Sequence, residues 1–536
     1  MSAEEAGGSK GAPGANQEEG WTGGHNPWVI ALVVTMATFM EVLDTSIANV
    51  SLPHISGSLS VSQDESTWVL TSYLVSNAII LPISGWIANR VGRKRFYMSC
   101  VALFTASSFL CGIAPSLGWL IFFRVLQGIG GGGLAPSEQS ILADTFPAKK
   151  RGMAMAIYGM AVVLAPAIGP TLGGYITDHY HWRWVFFINI PVGCLSLALT
   201  HRVVTDPPNR DKKAQKGAID YIGLGLIALG LGCLEVVLDK GQEDNWFASS
   251  FILTFSIIAA VMLVSFVVWE WHSDHPVVEL RLFRNRTFAS SNVMMFVLGV
   301  TLFGTTVLLP QYLQVLMGYS AQDAGMALSP GGFLIMLMMP AIGFLVSHVD
   351  SRFLIGIGFT ILSASMFYMA SHLNPTIDFR TAVEVRAFQS VAMAFLFVPI
   401  NTLVYADVPR EKSNAVSGII NLSRNMGGDV GIALATTFIA RRAQVHQSYL
   451  TAHTTGSDKY FQAQLHALTE GLVHRGMPTI DASRRALATL YAQVIQQATS
   501  LAYGDVLRGF AVLTGIMVPL LFLTRPPKKG QAAPAH

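Results

Sequence analysis

The sequence predicts an all-α polytopic membrane protein with fourteen transmembrane helices. Three observations carry that prediction. The 536 residues are 51% hydrophobic and only 12% charged, against about 25% charged in soluble domains. Apolar runs of spanning length recur from one end of the chain to the other. The cations between them fall almost entirely into alternate loops, the asymmetry that orients helices in a bilayer.

The runs lie at about 28–52, 67–88, 96–114, 118–142, 153–176, 184–201, 219–238, 250–270, 288–309, 322–346, 353–372, 382–405, 415–440 and 505–524. The first, from Trp28 to Pro53, is about 39 Å long as a helix, enough for a hydrocarbon core of about 30 Å. It holds two acids, Glu41 and Asp44. Carboxylates at that depth are costly, and by default they face an interior and pair with something. The alternative is a boundary shift that leaves Asp44 among headgroups, but Ile47, Ala48, Val50 and Leu52 continue the apolar run beyond it.

One set of loops carries Arg90, Arg93, Lys94 and Arg95, then Lys149 to Arg151, Arg202 to Lys216, Arg281 to Arg286, Arg352, Arg410 with Lys412, and Arg525 to Lys529. The short loops opposite carry only Arg183, Lys240 and Arg380. Both termini are therefore expected in the cytoplasm. Residues 1–26, rich in Gly, Ala and Glu and without a basic n-region, read as a disordered tail, and 525–536 as a second tail. The net charge of +3 is spread over short loops and says nothing of nucleic acid. The four cysteines sit in apolar runs, at no metal-ligand spacing. No metal or cofactor is expected.

A faint repeat at an offset near 260 residues divides the chain. Gly85 to Lys94 echoes in Gly343 to Arg352, Arg124 and Gln127 in Arg386 and Gln389, and Pro53 in Pro310. Two six-helix halves, 27–204 and 288–524, are expected, with two additional helices in 205–287. Repeats of this kind belong to alternating-access transporters, with the site where the halves meet. Residues 441–504, too polar to span, are expected as an outer loop. Apolar spacing at Phe461, Leu465, Leu468 and again at Leu487, Leu490, Val494 gives it helical, cap-like character.

Arg124 lies about 10 Å inside the fourth span and is the natural partner for Asp44, about 24 Å along the first. A cation there stabilises the carboxylate and burial opposes it, so a change of neighbours changes proton affinity, as coupling requires. The glycines Gly128, Gly130 and Gly133 fit G-x-G-x-x-G, but a spanning helix precedes them where a nucleotide site needs a strand. In the fifth span Ala161, Ala165, Gly169 and Gly173 recur four apart, the spacing of close helix packing, with Pro166 and Pro170 adding bends. Other candidates for a cavity that binds apolar solutes are Phe39, Tyr73, Asn77, Gln127, Gln311, Tyr312, Phe397 and Asn401, with Arg424 and Asp429, which could instead pair with each other. Simple packing explains each of them singly as well. Glu138 is expected near the cytoplasmic surface.

Three stretches carry a family resemblance. Gly85 to Arg95 (GWIANRVGRKR) resembles the loop motif of the major facilitator superfamily, involving Gly85, Arg90, Gly92, Arg93 and Lys94, and departs at Asn89, where the motif has Asp. LIFFRVLQGIGGGGLAP resembles the fourth-span motif, whose Arg (here Arg124) is implicated in proton transfer. APAIGPTLGGYI resembles the antiporter motif through Gly169, Pro170, Gly173 and Gly174, with Ala165 in place of its leading Gly. With LDTSIANVSLP and the long loop before the last span, the chain resembles the fourteen-span drug:proton antiporter family, EmrB-type branch.

That resemblance implies a major facilitator fold and proton-driven export of hydrophobic, often weakly acidic toxicants across a bacterial inner membrane. It also implies two partners, a periplasmic adaptor of EmrA type and an outer-membrane channel of TolC type. Asp44, Glu41 and Arg124 are the expected proton-coupling residues. A dedicated exporter of one endogenous metabolite or siderophore stays open. An enzyme is not expected, since no HExxH or GxSxG occurs and the histidines are scattered.

Overall fold

A computed structural model describes residues 24–206, 220–274, 276–405, 408, 412–452, 454 and 458–521. Most of both expected tails, the cations Arg210 to Lys216 and Arg410 lie outside these. Among the described residues every regular element is helical. In order they are α1 (Pro27–Leu59), α2 (Gln63–Val91), α3 (Arg93–Gly112), the broken pair α4 (Leu117–Gly131) and α5 (Leu134–Thr145), and α6 (Ala148–His179). Next come α7 (Trp184–Phe187), α8 (Asn189–Val203), α9 (Tyr221–Lys240), α10 (Ser250–His272) and α11 (Arg286–Gln311), which a π-helical turn extends over Tyr312–Leu316. The last are α12 (Ala321–Leu345), α13 (Ser351–His372), α14 (Phe379–Leu403), α15 (Ser413–Ala452), α16 (Lys459–Val473) and α17 (Thr479–Leu520).

Local chemistry explains many of the boundaries. Asn26 accepts the Trp28 amide, with Pro27 at the first helical position, where a missing N–H costs nothing. Ser62 and Glu65 form a capping box at the start of α2. Gly92, at φ 116°, makes the turn into α3 that a side chain would oppose. Pro166 and Pro170 each remove a ladder bond, and α6 bends by 42° between Pro166 and Ile168.

Eleven described helical segments are long and apolar enough to cross a bilayer, twelve if bent α6 counts as one span. Helices α3 and α15 occupy two further expected positions. They are less apolar because α3 opens on Arg93, Lys94 and Arg95 and α15 carries Arg424, Asp429, Arg441 and Arg442. Fourteen crossings are compatible with this arrangement. Helix α10 exposes Leu253, Ile257, Val261, Val264 and Val268, an apolar surface that lipid accommodates.

The repeat is visible as packing. In the first half α1 packs on α6, α2 on α4, and α3 on α4 and α8. In the second, α11 packs on α15, α12 on α14, and α13 on α14 and α17. Between the halves run the seams α6–α12 and α2–α15, while α9 and α10 pair beside them.

Segment 441–504 differs from a loop. Helix α15 continues to Ala452 and α17 begins at Thr479, because leaving the bilayer ends an apolar run without ending a helix rich in Ala, Gln, Arg and Leu. Helix α16 leans on α17 with its Phe461, Leu465 and Leu468 only half covered. The result is a helical cap with a cleft of about 790 Å³ bounded by Leu450, Phe461, Leu487 and Tyr491.

Candidate functional site

Asp44 and Arg124 meet as expected. Arg124 Nη1 donates to Asp44 Oδ2 at 2.6 Å, and both side chains are fully buried. Asp44 Oδ1 accepts two more bonds, from Gln127 Nε2 at 3.0 Å and Asn189 Nδ2 at 2.6 Å. Arg124 is itself fixed: its Nε donates to the Val69 carbonyl at 3.0 Å and its Nη1 to Gln127 Oε1 at 2.9 Å. Four elements, α1, α2, α4 and α8, thus converge on one carboxylate. Three charge-assisted or amide donors satisfy a carboxylate that has no contact with water.

Glu41 lies one turn from Asp44 on α1 and is 9% exposed. It accepts from Tyr73 Oη at 3.2 Å and Asn77 Nδ2 at 3.1 Å. The Tyr73 ring lies under the Arg124 guanidinium, 4.3 Å from centroid to Cζ. One tyrosine therefore touches the counter-ion of the first acid and the second acid itself. Glu138 is not near solvent as expected. It is wholly buried, with Thr35 Oγ1 donating to Oε1 at 2.5 Å and Oε2 without a hydrogen-bond partner among the described residues. The break between α4 and α5 turns it inward.

A second polar group bridges the halves. Arg424 Nη1 donates to Tyr158 Oη at 2.6 Å and Tyr158 to Asn421 Oδ1 at 2.9 Å. Asn421 donates to Gln139 Oε1 at 2.8 Å, and Gln139 to Asn401 Oδ1 at 3.1 Å. Phe397 lies against the Tyr158 ring, centroids 5.7 Å apart. Arg424, Phe397 and Asn401 of the second half therefore meet Tyr158 and Gln139 of the first.

The end of the bundle that carries the basic loops is sealed. Asn414 bonds Ser140 and Asn89, and Ser413 donates to Asp144 at 3.3 Å. Backbones also touch there: a Cβ on Gly152 would come within 2.8 Å of the Gly343 carbonyl, and one on Gly85 within 2.6 Å of the Asn414 carbonyl.

With the fold and these groups in view, comparison with known proteins is decisive. A family model described as Major Facilitator Superfamily matches residues 34–432. The chain belongs to the major facilitator superfamily. It is 35% identical over 499 residues to the multidrug export protein EmrB of Escherichia coli K12, covering 93% of this chain and 95% of the relative. To EmrB of Haemophilus influenzae it is 38% identical, covering 82% and 86%. To the fatty acid resistance protein FarB of Neisseria gonorrhoeae it is 35% identical, covering 93% and 96%. Among solved structures, the human organic anion transporter MFSD10 superposes with a TM-score of 0.59 at 12% identity, over 92% of this chain and 99% of that one. The proton:xylose symporter XylE does so at 0.57 and 15%, over 93% and 97%. The protein is a multi-pass membrane transporter of this superfamily.

The superfamily loop motif is used without its acid. Asn89 meets Asn414 across the seam. Arg93, 8% exposed, binds Asp144 and the Ser140 carbonyl within its own half. Lys94 Nζ donates to the His201 carbonyl at 2.7 Å, and Arg90 lies over Trp86. In the antiporter motif, a Cβ on Gly169 would fall 2.2 Å from Ser46 Oγ and one on Gly173 3.1 Å from Ile47, so α6 rests directly on the turn of α1 after Asp44. Gly174 faces open space, and Pro166, one turn before Gly169, offers its carbonyl to Ser46 at 3.5 Å.

Several cavity candidates lie elsewhere. Gln127 serves Asp44. Tyr312 is buried inside the second half, its Oη 3.0 Å from Ser500 Oγ on α17, and Gln311 is exposed. Phe39 is half-buried among Leu43 and Ile47. Among the described residues Arg424 binds Tyr158 and Asn425 and not Asp429, because five residues on a helix place the two on different faces. Asn189 escaped the sequence reading, although an amide inside the run WVFFINIPVG was the available signal. Tyr158, Gln139 and Asn421 left only isolated polar letters in apolar stretches.

Proposed function

We propose that this protein is a proton-coupled antiporter that exports hydrophobic, drug-like molecules across a bacterial inner membrane, with the basic loops and both termini in the cytoplasm. The observation that carries the reading is the fully buried Asp44–Arg124 pair with its amide donors. Such a pair is expensive to maintain and contributes little net stability, so its retention suits a role in which it opens. A proton arriving from the outer side neutralises Asp44 and releases Arg124, Gln127 and Asn189. Tyr73 carries that change toward Glu41, and α6, seated on Ser46 and Ile47, follows α1. Loss of the proton to the cytoplasm restores the anion. Multidrug export and fatty acid resistance in the names of the relatives support an apolar cargo. The energy source is the proton gradient.

The helical cap 441–504 is where an EmrA-type adaptor would dock, making the protein the inner-membrane part of a tripartite pump with a TolC-type channel. Tyr460 and Ile480, 86% and 71% exposed, offer apolar anchors there. The test of transport is efflux of a panel of hydrophobic weak acids from proteoliposomes. Acidifying the outer face should accelerate efflux, and efflux indifferent to the gradient would refute proton coupling.

A further inference from the structure

Glu138 of α5 is a buried carboxyl that the exchange steps leave unused. Thr35 Oγ1 of α1 donates to its Oε1 at 2.5 Å, and its Oε2 has no hydrogen-bond partner among the described residues. The buried cations on helices packed against α5 are engaged elsewhere. Arg93 of α3 binds Asp144, Arg124 of α4 binds Asp44, and Arg424 of α15 binds Tyr158 and Asn425. The tyrosines have partners too: Tyr97 of α3 donates to the Val34 carbonyl, Tyr73 of α2 to Glu41, and Tyr158 of α6 to Asn421.

The bond from Thr35 joins Glu138 to a polar stripe on α1. Thr35, Thr38, Glu41 and Asp44 recur every third residue, and all four are buried. Side chains three apart on a helix are neighbours, with Cβ atoms about 5–6 Å apart. Thr38 Oγ1 is buried with no hydrogen-bond partner among the described residues, and a hydroxyl can accept on one side while donating on the other. Asp44 lies about 14 Å further along α1 than Thr35, far beyond one hydrogen bond of about 3 Å, so a proton passing between them needs stations on the way. The stripe ends beside the seal. Gln139 bonds Asn401 and Asn421, and Ser140 bonds Asn414, all across the halves. Parting the halves at that end removes the partners of the two residues that follow Glu138.

We propose that Glu138 is the inner acceptor of the exchanged proton, which reaches it from Glu41 through the hydroxyls of Thr38 and Thr35. The proton leaving the Glu41 carboxyl binds Thr38 Oγ1, whose own hydrogen passes to Thr35 Oγ1. The hydrogen that Thr35 already donates to Glu138 then completes an O–H bond there. Glu41 ends as a carboxylate, Glu138 as a carboxylic acid, and both threonines keep one hydrogen each. Opening of the seal brings cytoplasmic water to Glu138, and water takes the proton. The relay rests on the reading of the protein as a proton-coupled antiporter.

The test runs gradient-driven export and counterflow side by side in proteoliposomes of the full-length protein, with labelled hydrophobic weak acids and with ethidium, whose charge is fixed. The ratio of the two rates isolates the proton steps, since a defect of folding or binding lowers both together. Thr35→Val and Thr38→Val, which keep the shape and remove the hydroxyl, should each lower the ratio by about tenfold or more, and Thr35→Ser and Thr38→Ser should restore it. Glu138→Gln should lower it as far. A ratio in Thr38→Val or Glu138→Gln equal to that of the unsubstituted protein overturns the relay, as does a ratio in Thr38→Ser as low as in Thr38→Val. Asp44→Asn separates the relay from the reading beneath it. Drive lost there but intact in Glu138→Gln removes the relay alone, whereas drive intact in Asp44→Asn removes the coupling reading and the relay with it.

Discussion

Asp44 receives three donors from two helices, and Arg124 is the one that joins carboxylate, glutamine and the Val69 carbonyl. A lysine has the charge without the fork. Arg124→Lys should therefore lose a charge-assisted bond of at least about 1.5 kcal/mol, and pH-driven exchange should fall by about tenfold or more while the protein still reaches the membrane. Arg93 makes a different kind of pair. Removing it strands the largely buried Asp144, so Arg93→Ala should lower thermal stability by about 3–5 kcal/mol, read as a drop in melting temperature. Both arginines were legible in the sequence, one as a buried charge and one as part of a loop motif. Asn189 and Tyr158 were not, because a neutral polar side chain in an apolar run looks the same whether it binds a carboxylate or its own backbone.

At the scale of helices, the contact of α6 with α1 is set by absent side chains. Gly169→Ala puts a methyl 2.2 Å from Ser46 Oγ, whereas Gly174→Ala meets nothing within 4 Å. The first should add about 1–3 kcal/mol of overpacking and cut exchange severalfold, and the second should leave it unchanged. Equal effects in a proteoliposome exchange assay would detach the motif from α1. The positions of the spanning helices were readable from apolar runs and cation placement. The continuation of α15 and α17 beyond the bilayer was not, since hydropathy marks where lipid ends and not where a helix does. Nor did spacing show that Arg424 reaches Tyr158 of the first half, because which neighbour a helix face meets depends on the packing of the whole bundle.

Across the whole molecule, the repeat glimpsed in a few letters is a repeat of packing and of chemistry. Arg386 Nη1 donates to Gln389 Oε1 at 2.8 Å, as Arg124 does to Gln127. Where the first half answers with Asp44, the second has Thr305, which accepts from Gln389 Nε2 at 2.6 Å. Duplication supplied the frame, and only one half carries the acid at this place. The cap belongs to the same scale. Deleting 453–478, which spares the buried Ala498 and Ser500 of α17, should leave vesicle transport intact and abolish resistance in whole cells. Intact resistance would remove the adaptor-docking role.

The most direct measurement compares two modes of transport in one preparation of Asp44→Asn proteoliposomes. Counterflow of unlabelled against labelled substrate needs binding and alternation, whereas uphill export needs a proton to be exchanged as well. If Asp44 is the coupling group, counterflow continues near the rate of the unsubstituted protein and gradient-driven export disappears. Gradient-driven export that persists undiminished in Asp44→Asn would contradict that assignment.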